Sequence, residues 1–147
     1  MSSGKNTKTV WLDEGLKILA TKGPAALSIE NLASATGKTK GSFYHHFSGR
    51  EQYIEQLLAY YEKTTVDEII ELVGQENNPR ARLKKLTKLT FQLSSDVELA
   101  IRAWALYDPI VKTYQDRMDR RRLEQVRDLH IGARLDSDKA EVLSYRD

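Results

Sequence analysis

The sequence of 147 residues carries a formal net charge of +2, and its length suits one ordinary domain or a small domain joined to a larger helical one. It has no cysteine, which excludes disulfides and thiolate chemistry. It also has neither a signal peptide nor an apolar stretch of the roughly 20 residues that a membrane span needs, so we expect a soluble, cytoplasmic protein. The first 50 residues hold seven Lys/Arg against three Asp/Glu, a net charge of +4, whereas the other 97 hold sixteen against eighteen, so the N-terminal part is the one suited to phosphate.

The first predicted helix runs from about Thr7 to Lys22. Leu12, Leu16 and Leu19 recur at helical spacing, and Gly23-Pro24 stops the pattern. This apolar stripe needs partners to bury it, so the helix is expected to cover the two short helices that follow and to complete a three-helix domain.

The second predicted helix is short, and a tight turn follows it. Ser28 is its predicted N-cap, and Ile29, Leu32 and Ala33 form an apolar stripe. Gly37 can adopt the left-handed conformation that ends one helix and turns into the next. Because a third helix begins close behind, the sequence predicts a helix-turn-helix.

The third predicted helix follows the N-cap Thr39 and has an apolar back and a polar front. Phe43 and Phe47 are four residues apart, so they share one face of the helix. The side chains that fall away from that face are those of Lys40, Ser42 and Tyr44. The helix N-terminus also carries partial positive charge, which suits a phosphate. The pattern is typical of a recognition helix, although an amphipathic surface helix shows the same periodicity.

A long helix is predicted from Arg50 to Gly74, and at 1.5 Å per residue its roughly 24 residues span about 36 Å. Asn78 and Pro79 then start another helix. The residues of that helix predicted to point inward are Leu83, Leu86, Thr90 and Leu93.

Two further helices are predicted, from Val97 to Tyr107 and from Asp108-Pro109 to about Ile131. The first of them places three apolar residues on one side, namely Ile101, Trp104 and Ala105. Gly132 is predicted to end the second, and Asp136-Ser137 to start one more.

The segment Lys-Gly-Ser-Phe-Tyr-His-His-Phe at residues 40–47, with Ala33 and Gly37 before it, resembles the DNA-binding domain of the tetracycline-repressor (TetR) family. The resemblance extends from about Thr7 to Tyr60. Lys38 departs from the family pattern, which usually has an aliphatic residue after the turn glycine. The Lys38 stem can still cover the edge of the core while its ammonium reaches water or DNA.

The resemblance implies an all-α fold with two domains. A three-helix DNA-binding head with the helix-turn-helix would occupy residues 1–49, and a long helix would join it to an α-helical ligand-binding and dimerisation body over residues 50–147. TetR-like chains usually continue with helices that make most of the dimer interface, so the resemblance also implies a body that is incomplete at its C-terminus.

The resemblance assigns roles to the residues of the helix-turn-helix. Those implied to face base edges in the major groove are Lys40, Gly41 and Ser42. Those implied to hold phosphates are Ser28, Thr39, Tyr44, His46 and Arg50, with Lys5 and Lys8 close enough to help. His45 lies where the family varies, so contact with a base, a phosphate or water stays open.

The sequence also bears on metal, catalytic and effector sites. His45 and His46 diverge by roughly 100° on a helix, so one metal ion cannot bind both, and no metal or cofactor is expected. No nucleophile is paired with a base and no glycine loop suits a phosphate, so an enzyme is not expected. The residues implied by the family to line an effector pocket are Leu89, Phe91, Arg102, Trp104 and Tyr107, although aromatic side chains at helical spacing more often belong to a core.

The sequence therefore predicts a DNA-binding transcriptional regulator. Its expected partners are double-stranded operator DNA, a small-molecule effector that releases a repressor from the operator and, if the missing C-terminal helices are present, a second copy of the chain. The alternative is a helical ligand-sequestering or protein-interaction protein that does not use its DNA-binding head. Repression and activation are not distinguished by the sequence.

Overall fold

The computed structural model describes residues 6–93 and 95–144, and nearly all of them are helical. The α-helices are α1 Thr7–Lys22, α2 Ile29–Thr36, α3 Lys40–His46, α4 Arg50–Glu62, α5 Glu68–Gly74, α6 Pro79–Phe91, α7 Ser95–Ala105 and α8 Pro109–Ser144. Residues 6–61 and 95–115 form one compact unit, and residues 62–93 and 116–144 form another. The all-α fold predicted from the sequence is confirmed. Within the described part of the chain, no helix is both long and apolar enough to cross a membrane.

The helix-turn-helix has the boundaries that its capping residues predict. The Ser28 hydroxyl accepts a hydrogen bond from the Asn31 N–H at 3.1 Å and so caps α2. Gly37 ends α2 in the left-handed region at φ 68°, where a residue with a Cβ would be strained. The predicted bounds of α1 are also confirmed, and Gly23 follows it at φ 82°.

Four aromatic rings hold α1, α3 and α4 together. Trp11 of α1 meets Phe43 of α3 edge to face, with ring centroids 5.4 Å apart. Tyr53 of α4 packs on Phe43 at 5.6 Å and on Phe47 at 4.9 Å. Each of these four side chains is at most 1% exposed. The predicted burial of Phe43 and Phe47 is therefore confirmed, and these rings fix the orientation of α3.

A close approach between α1 and α4 lies beside these rings. The Tyr53 hydroxyl donates to the Trp11 carbonyl at 2.7 Å, and burial raises the pKa of that phenol well above its ordinary value, so it stays a donor. Gly15 leaves the room that the phenol occupies.

Helix α7 completes the first unit by packing against α1. Ile101 and Trp104 are buried, as the sequence predicts, and Ala105 is half-buried. The Glu98 carboxylate accepts hydrogen bonds from the Tyr61 hydroxyl at 2.6 Å and from the Gln115 amide at 3.1 Å. These polar contacts link α7 to the end of α4 and to the start of α8.

The long helix predicted from Arg50 to Gly74 is present, but a π-helical segment at Lys63–Asp67 separates α4 from α5. Arginines on α8 contact both ends of this segment. Arg117 and Arg121 donate to the buried Glu62 carboxylate, and Arg121 also pairs with Asp67. Hydrogen bonds from Arg117, followed by those from Arg121, hold the pKa of Glu62 below its ordinary value despite burial. The sequence did not predict the π-helical turn.

Helix α6 starts at Pro79 behind the N-cap Asn78, as predicted, but buries less than expected. Leu83 and Leu86 are half-buried, whereas the expected inward positions of Thr90 and Leu93 are wrong, because both side chains are exposed. Leu93 lies beyond the last residue of α6, and the helix has α5 as its main neighbour, so only part of its face is covered.

The predicted break at Gly132 is wrong. Helix α8 runs without interruption from Pro109 to Ser144, so Asp136-Ser137 lies inside it rather than at a new start. The backbone of Gly132 does not adopt the left-handed conformation that ends a helix, in contrast to Gly23 and Gly37. One glycine inside a helix costs only about 1 kcal/mol relative to alanine, which a helix of this length tolerates.

Candidate DNA-binding surface

Helix α3 presents its polar side outward because its other side is fixed in the core. The Thr39 hydroxyl accepts from the Ser42 N–H at 3.1 Å and so starts the helix where the sequence predicts. Tyr44 is 56% exposed and the Lys40 side chain is 57% exposed, while Ser42 is half-buried. We call the outward groups of Lys40, Gly41, Ser42, Tyr44 and His45 the recognition surface.

Gly41 leaves this surface open. A Cβ built on Gly41 would meet only the Thr39 hydroxyl oxygen, at an ordinary contact distance of 3.8 Å. The packing of the chain therefore does not require glycine here, and alanine would favour the helix. A missing side chain is useful at this position if another molecule approaches the helix closely.

An acidic residue that the sequence analysis did not single out contacts the recognition surface. The Lys40 ammonium lies 3.2 Å from a carboxylate oxygen of Glu30, and both side chains are mostly exposed. A backbone hydrogen bond at the start of α2, followed by the contact with Lys40, lowers the pKa of Glu30 below its ordinary value. The two residues are ten apart and lie on different helices, so helical periodicity gives no signal of their contact.

A basic edge lies at the C-terminal end of α3. The His45 and His46 rings are 5.1 Å apart, and Lys8 of α1 places its ammonium 5.6 Å from the centre of the Phe47 ring. Partial desolvation, followed by repulsion from His45, Lys8 and Lys38, lowers the pKa of His46. An anion bound here would oppose that repulsion, so this edge is suited to a phosphate.

Ser28 and Thr39 use their hydroxyl oxygens as helix caps, as described above. A hydroxyl that accepts one hydrogen bond keeps its own hydrogen for donation, so neither cap excludes the predicted contact with a phosphate.

Arg50, which was predicted to hold a phosphate, makes two bonds inside its own unit. Its Nε donates to the Leu27 carbonyl at 2.9 Å, and its Nη2 donates to the Pro24 carbonyl at 3.0 Å. The guanidinium therefore ties the start of α4 to the segment that precedes α2. A guanidinium has five N–H donors, so its contact with a phosphate stays a prediction.

The five residues predicted to line an effector pocket lie in different parts of the fold. In the first unit, Trp104 is buried in the core, Arg102 pairs with Glu98 at 3.2 Å, and Tyr107 is 70% exposed. In the second unit, Leu89 is half-buried and Phe91 is 86% exposed. Their shared role in a pocket stays a prediction.

The second unit contains an open cleft of about 310 Å³ that the sequence analysis did not identify. It lies between α5, α6 and α8, and its lining comprises Ile70, Val73, Gly74, Arg82, Arg121, Glu124, Gln125, Asp128 and Leu129. Arg82 donates to the Glu76 and Gly74 carbonyls beside it. Across residues 6–93 and 95–144, no group of three or more His, Cys, Asp or Glu is arranged to hold a metal ion.

Residues 12–57 match the family described as "Bacterial regulatory proteins, tetR family". The chain is 28% identical over 112 residues to the HTH-type transcriptional repressor KstR2 of Rhodococcus jostii (strain RHA1), a match that covers 76% of this chain and 53% of that protein. It is 25% identical over 88 residues to the HTH-type transcriptional regulator YuxN of Bacillus subtilis (strain 168), which covers 60% of this chain and 30% of that one. The chain thus spans about half the length of the KstR2 relative.

Solved structures share the fold. A transcriptional regulator of the TetR/AcrR family aligns with a TM-score of 0.76 and 22% identity, over 88% of this chain and 72% of that one. The fatty acid degradation regulator FadR of Bacillus halodurans aligns with a TM-score of 0.65 and 20% identity, over 88% of this chain and 69% of that one.

Proposed function

We propose, since this chain belongs to the tetR family of bacterial regulatory proteins, that it regulates transcription by binding a specific DNA sequence through the recognition surface. The observation that carries the proposal is the two-sided build of α3. Phe43 and Phe47 are at most 1% exposed, whereas Tyr44 is 56% exposed and the Lys40 side chain 57%. A helix anchored in this way can enter a major groove without losing its own packing. The name of the KstR2 relative supports repression.

Within that function, each residue of the surface has a chemical role. Lys40 donates to a guanine edge, and Ser42 contacts a base of either kind. Gly41 lets the helix backbone approach the groove. Tyr44, His46 and the hydroxyls of the two helix caps donate to phosphates, which fixes the docking angle without reading sequence.

The protein is proposed to act as a homodimer on a roughly palindromic site. A two-fold dimer places two copies of α3 in successive major grooves about 34–36 Å apart, which one copy alone cannot do. Sedimentation with and without a selected duplex tests this: we expect two copies per site, and one copy per full site would contradict it.

A small molecule bound in the helical part of the protein is proposed to lower the affinity for DNA. Effector sites are concave and mostly apolar, and the cleft of the second unit offers Ile70, Val73 and Leu129. Release requires the ligand to bind the DNA-free state more tightly than the DNA-bound state. A thermal-shift screen followed by DNA binding tests this, and ligands that raise the melting temperature but leave DNA affinity unchanged would count against it.

The test of DNA binding is selection of duplexes from a random pool at one fixed salt concentration. Lys40→Ala should weaken binding to the selected sequence about tenfold, with a smaller loss on random DNA. Tyr44→Phe should weaken both, because it removes a phosphate contact. Lys17→Ala is the matched control, since it removes one exposed lysine from α1.

Two outcomes would overturn the proposal in different ways. If neither Lys40→Ala nor Tyr44→Phe changes affinity, the recognition surface is wrongly assigned. If the wild-type chain selects no sequence, the head does not bind DNA specifically, and the ligand-sequestering or protein-interaction alternative is favoured.

A further inference from the structure

Glu30 places a negative charge beside the recognition surface, which is proposed to bind the negatively charged DNA. Glu30 is in the first turn of α2, its side chain is 68% exposed, and it pairs with Lys40 at the first turn of α3. An exposed ion pair of this kind contributes little to folding. Non-specific binding of DNA is largely electrostatic, so a carboxylate here weakens it. An acid in the first turn of α2 does favour the helix, but that role does not require the contact with Lys40, and general affinity for DNA does not explain Glu30 either.

The pair does present two complementary groups at a useful spacing. The carboxylate accepts hydrogen bonds and the ammonium donates them, and their contacting atoms lie 3.2 Å apart. In a G·C base pair, the cytosine amino group and guanine O6 are themselves joined by a hydrogen bond of about 2.9 Å. Both of those groups also face the major groove, where cytosine N4 donates and guanine O6 and N7 accept. The spacing of the protein pair therefore matches the spacing of the base-pair edge.

We propose that Glu30 is a specificity-determining residue that reads one C·G pair together with Lys40, the carboxylate accepting from cytosine N4 and the ammonium donating to guanine. The inference rests on the proposed function, because it assigns a base contact within the same surface. Glu30 thus lowers the affinity for DNA of any sequence and raises the discrimination between base pairs.

The chemistry of the other base pairs gives the order of preference. With guanine opposite Glu30, a keto oxygen meets the carboxylate and the cytosine amino group meets the ammonium, so both contacts are repulsive. With thymine opposite Glu30, a keto oxygen again meets the carboxylate, and adenine offers Lys40 only N7, beside its amino group. With adenine opposite Glu30, the carboxylate can still accept from an amino group, adenine N6. Its partner thymine, however, offers Lys40 only one acceptor, O4, beside a methyl group. The expected order is therefore cytosine, then adenine, then guanine or thymine.

The experiment compares the sequences selected from a random duplex pool by wild-type protein, Glu30→Gln, Lys40→Met and the double variant. At one position of each half-site, the wild type should prefer cytosine over guanine or thymine by about tenfold or more. Glu30→Gln should lose that preference and keep the others, because an amide both accepts and donates. Since both residues read one base pair, the losses in the double variant should not add.

The control separates base reading from simple charge. Glu55→Gln removes one exposed carboxylate from α4, away from the Lys40 contact, and should leave every base preference unchanged. Glu30→Gln should also bind random DNA more tightly than wild type. If Glu30→Gln selects the same bases with the same ratios as wild type, the inference is refuted while DNA binding stands. If the wild type enriches no sequence, the proposed function fails, and this inference with it.

Discussion

Gly15→Ala should destabilise the fold, although the same change inside most helices stabilises it by about 1 kcal/mol. A Cβ at this position would lie 1.9 Å from the hydroxyl oxygen of Tyr53 and 3.0 Å from the ring carbon that bears it. The ring cannot move away freely, because it is fully buried against Phe43 and Phe47 and its hydroxyl donates to the Trp11 carbonyl at 2.7 Å. Overpacking of a core costs about 1–3 kcal/mol, and a contact of 1.9 Å places Gly15→Ala in the upper part of that range. After subtraction of the helical gain of about 1 kcal/mol, the net loss should be about 1–2 kcal/mol.

Urea unfolding followed by tryptophan fluorescence measures this loss, provided that the slope of free energy against urea is unchanged. Gly132→Ala is the matched control, because its Cβ would meet Pro79 only at an ordinary 3.6 Å, and it should stabilise the fold by up to about 1 kcal/mol. Tyr53→Phe removes the closest atom, so the penalty of Gly15→Ala should shrink in that background. A Gly15→Ala protein as stable as wild type, with no coupling to Tyr53→Phe, would refute the reasoning.

Three further predictions concern charge and the recognition surface. Glu62→Gln should lower the free energy of unfolding by about 2 kcal/mol at pH 7. Because the folded-state pKa of Glu62 is lowered, the stability it contributes is present above its unfolded pKa and is lost as pH falls through its folded pKa. The gap between wild type and Glu62→Gln should therefore close in acid during urea titrations, and a gap independent of pH would contradict the pairing. Gly41→Ala should raise the melting temperature slightly but weaken binding to the selected duplex, and unchanged binding would mean that the backbone does not approach DNA closely. A phosphate beside His46 should raise its pKa from the lowered value of the free protein, so wild-type DNA affinity should rise as pH falls through that range. His46→Gln should flatten this dependence at constant salt, and a slope that survives the change would point to another group.

The parts of the fold that the sequence predicted are those with local signals. Ser28 and Thr39 cap their helices by accepting from backbone N–H groups three residues on, and Gly37 ends α2 through its own left-handed conformation. The spacing of Phe43 and Phe47 predicts their shared burial, although Phe47 is the extended residue that caps the C-terminus of α3. These features need no knowledge of distant parts of the chain, so the bounds of α1 and α2 and the start of α3 were predicted correctly.

The features that the sequence did not predict depend on residues far apart in the chain. The π-helical segment at Lys63–Asp67 is contacted at both ends by Arg121, more than fifty residues later. Glycine is common at helix ends, which predicts an end at Gly132, but in the structure Gly132 is helical within α8. The contact between Glu30 and Lys40 depends on how two helices cross, which neither helix encodes by itself.

Helix α3 has seven residues, about half of what an isolated helix needs to persist in water. Its helical conformation is therefore stabilised by packing against the aromatic side chains of α1 and α4. Substitutions at Lys40 or Ser42 change none of these ring contacts, whereas the Tyr44 ring packs edge to face on Phe43 at 5.5 Å. Under the proposed function, the base preference of the recognition surface can therefore change at Lys40 or Ser42 with little effect on folding.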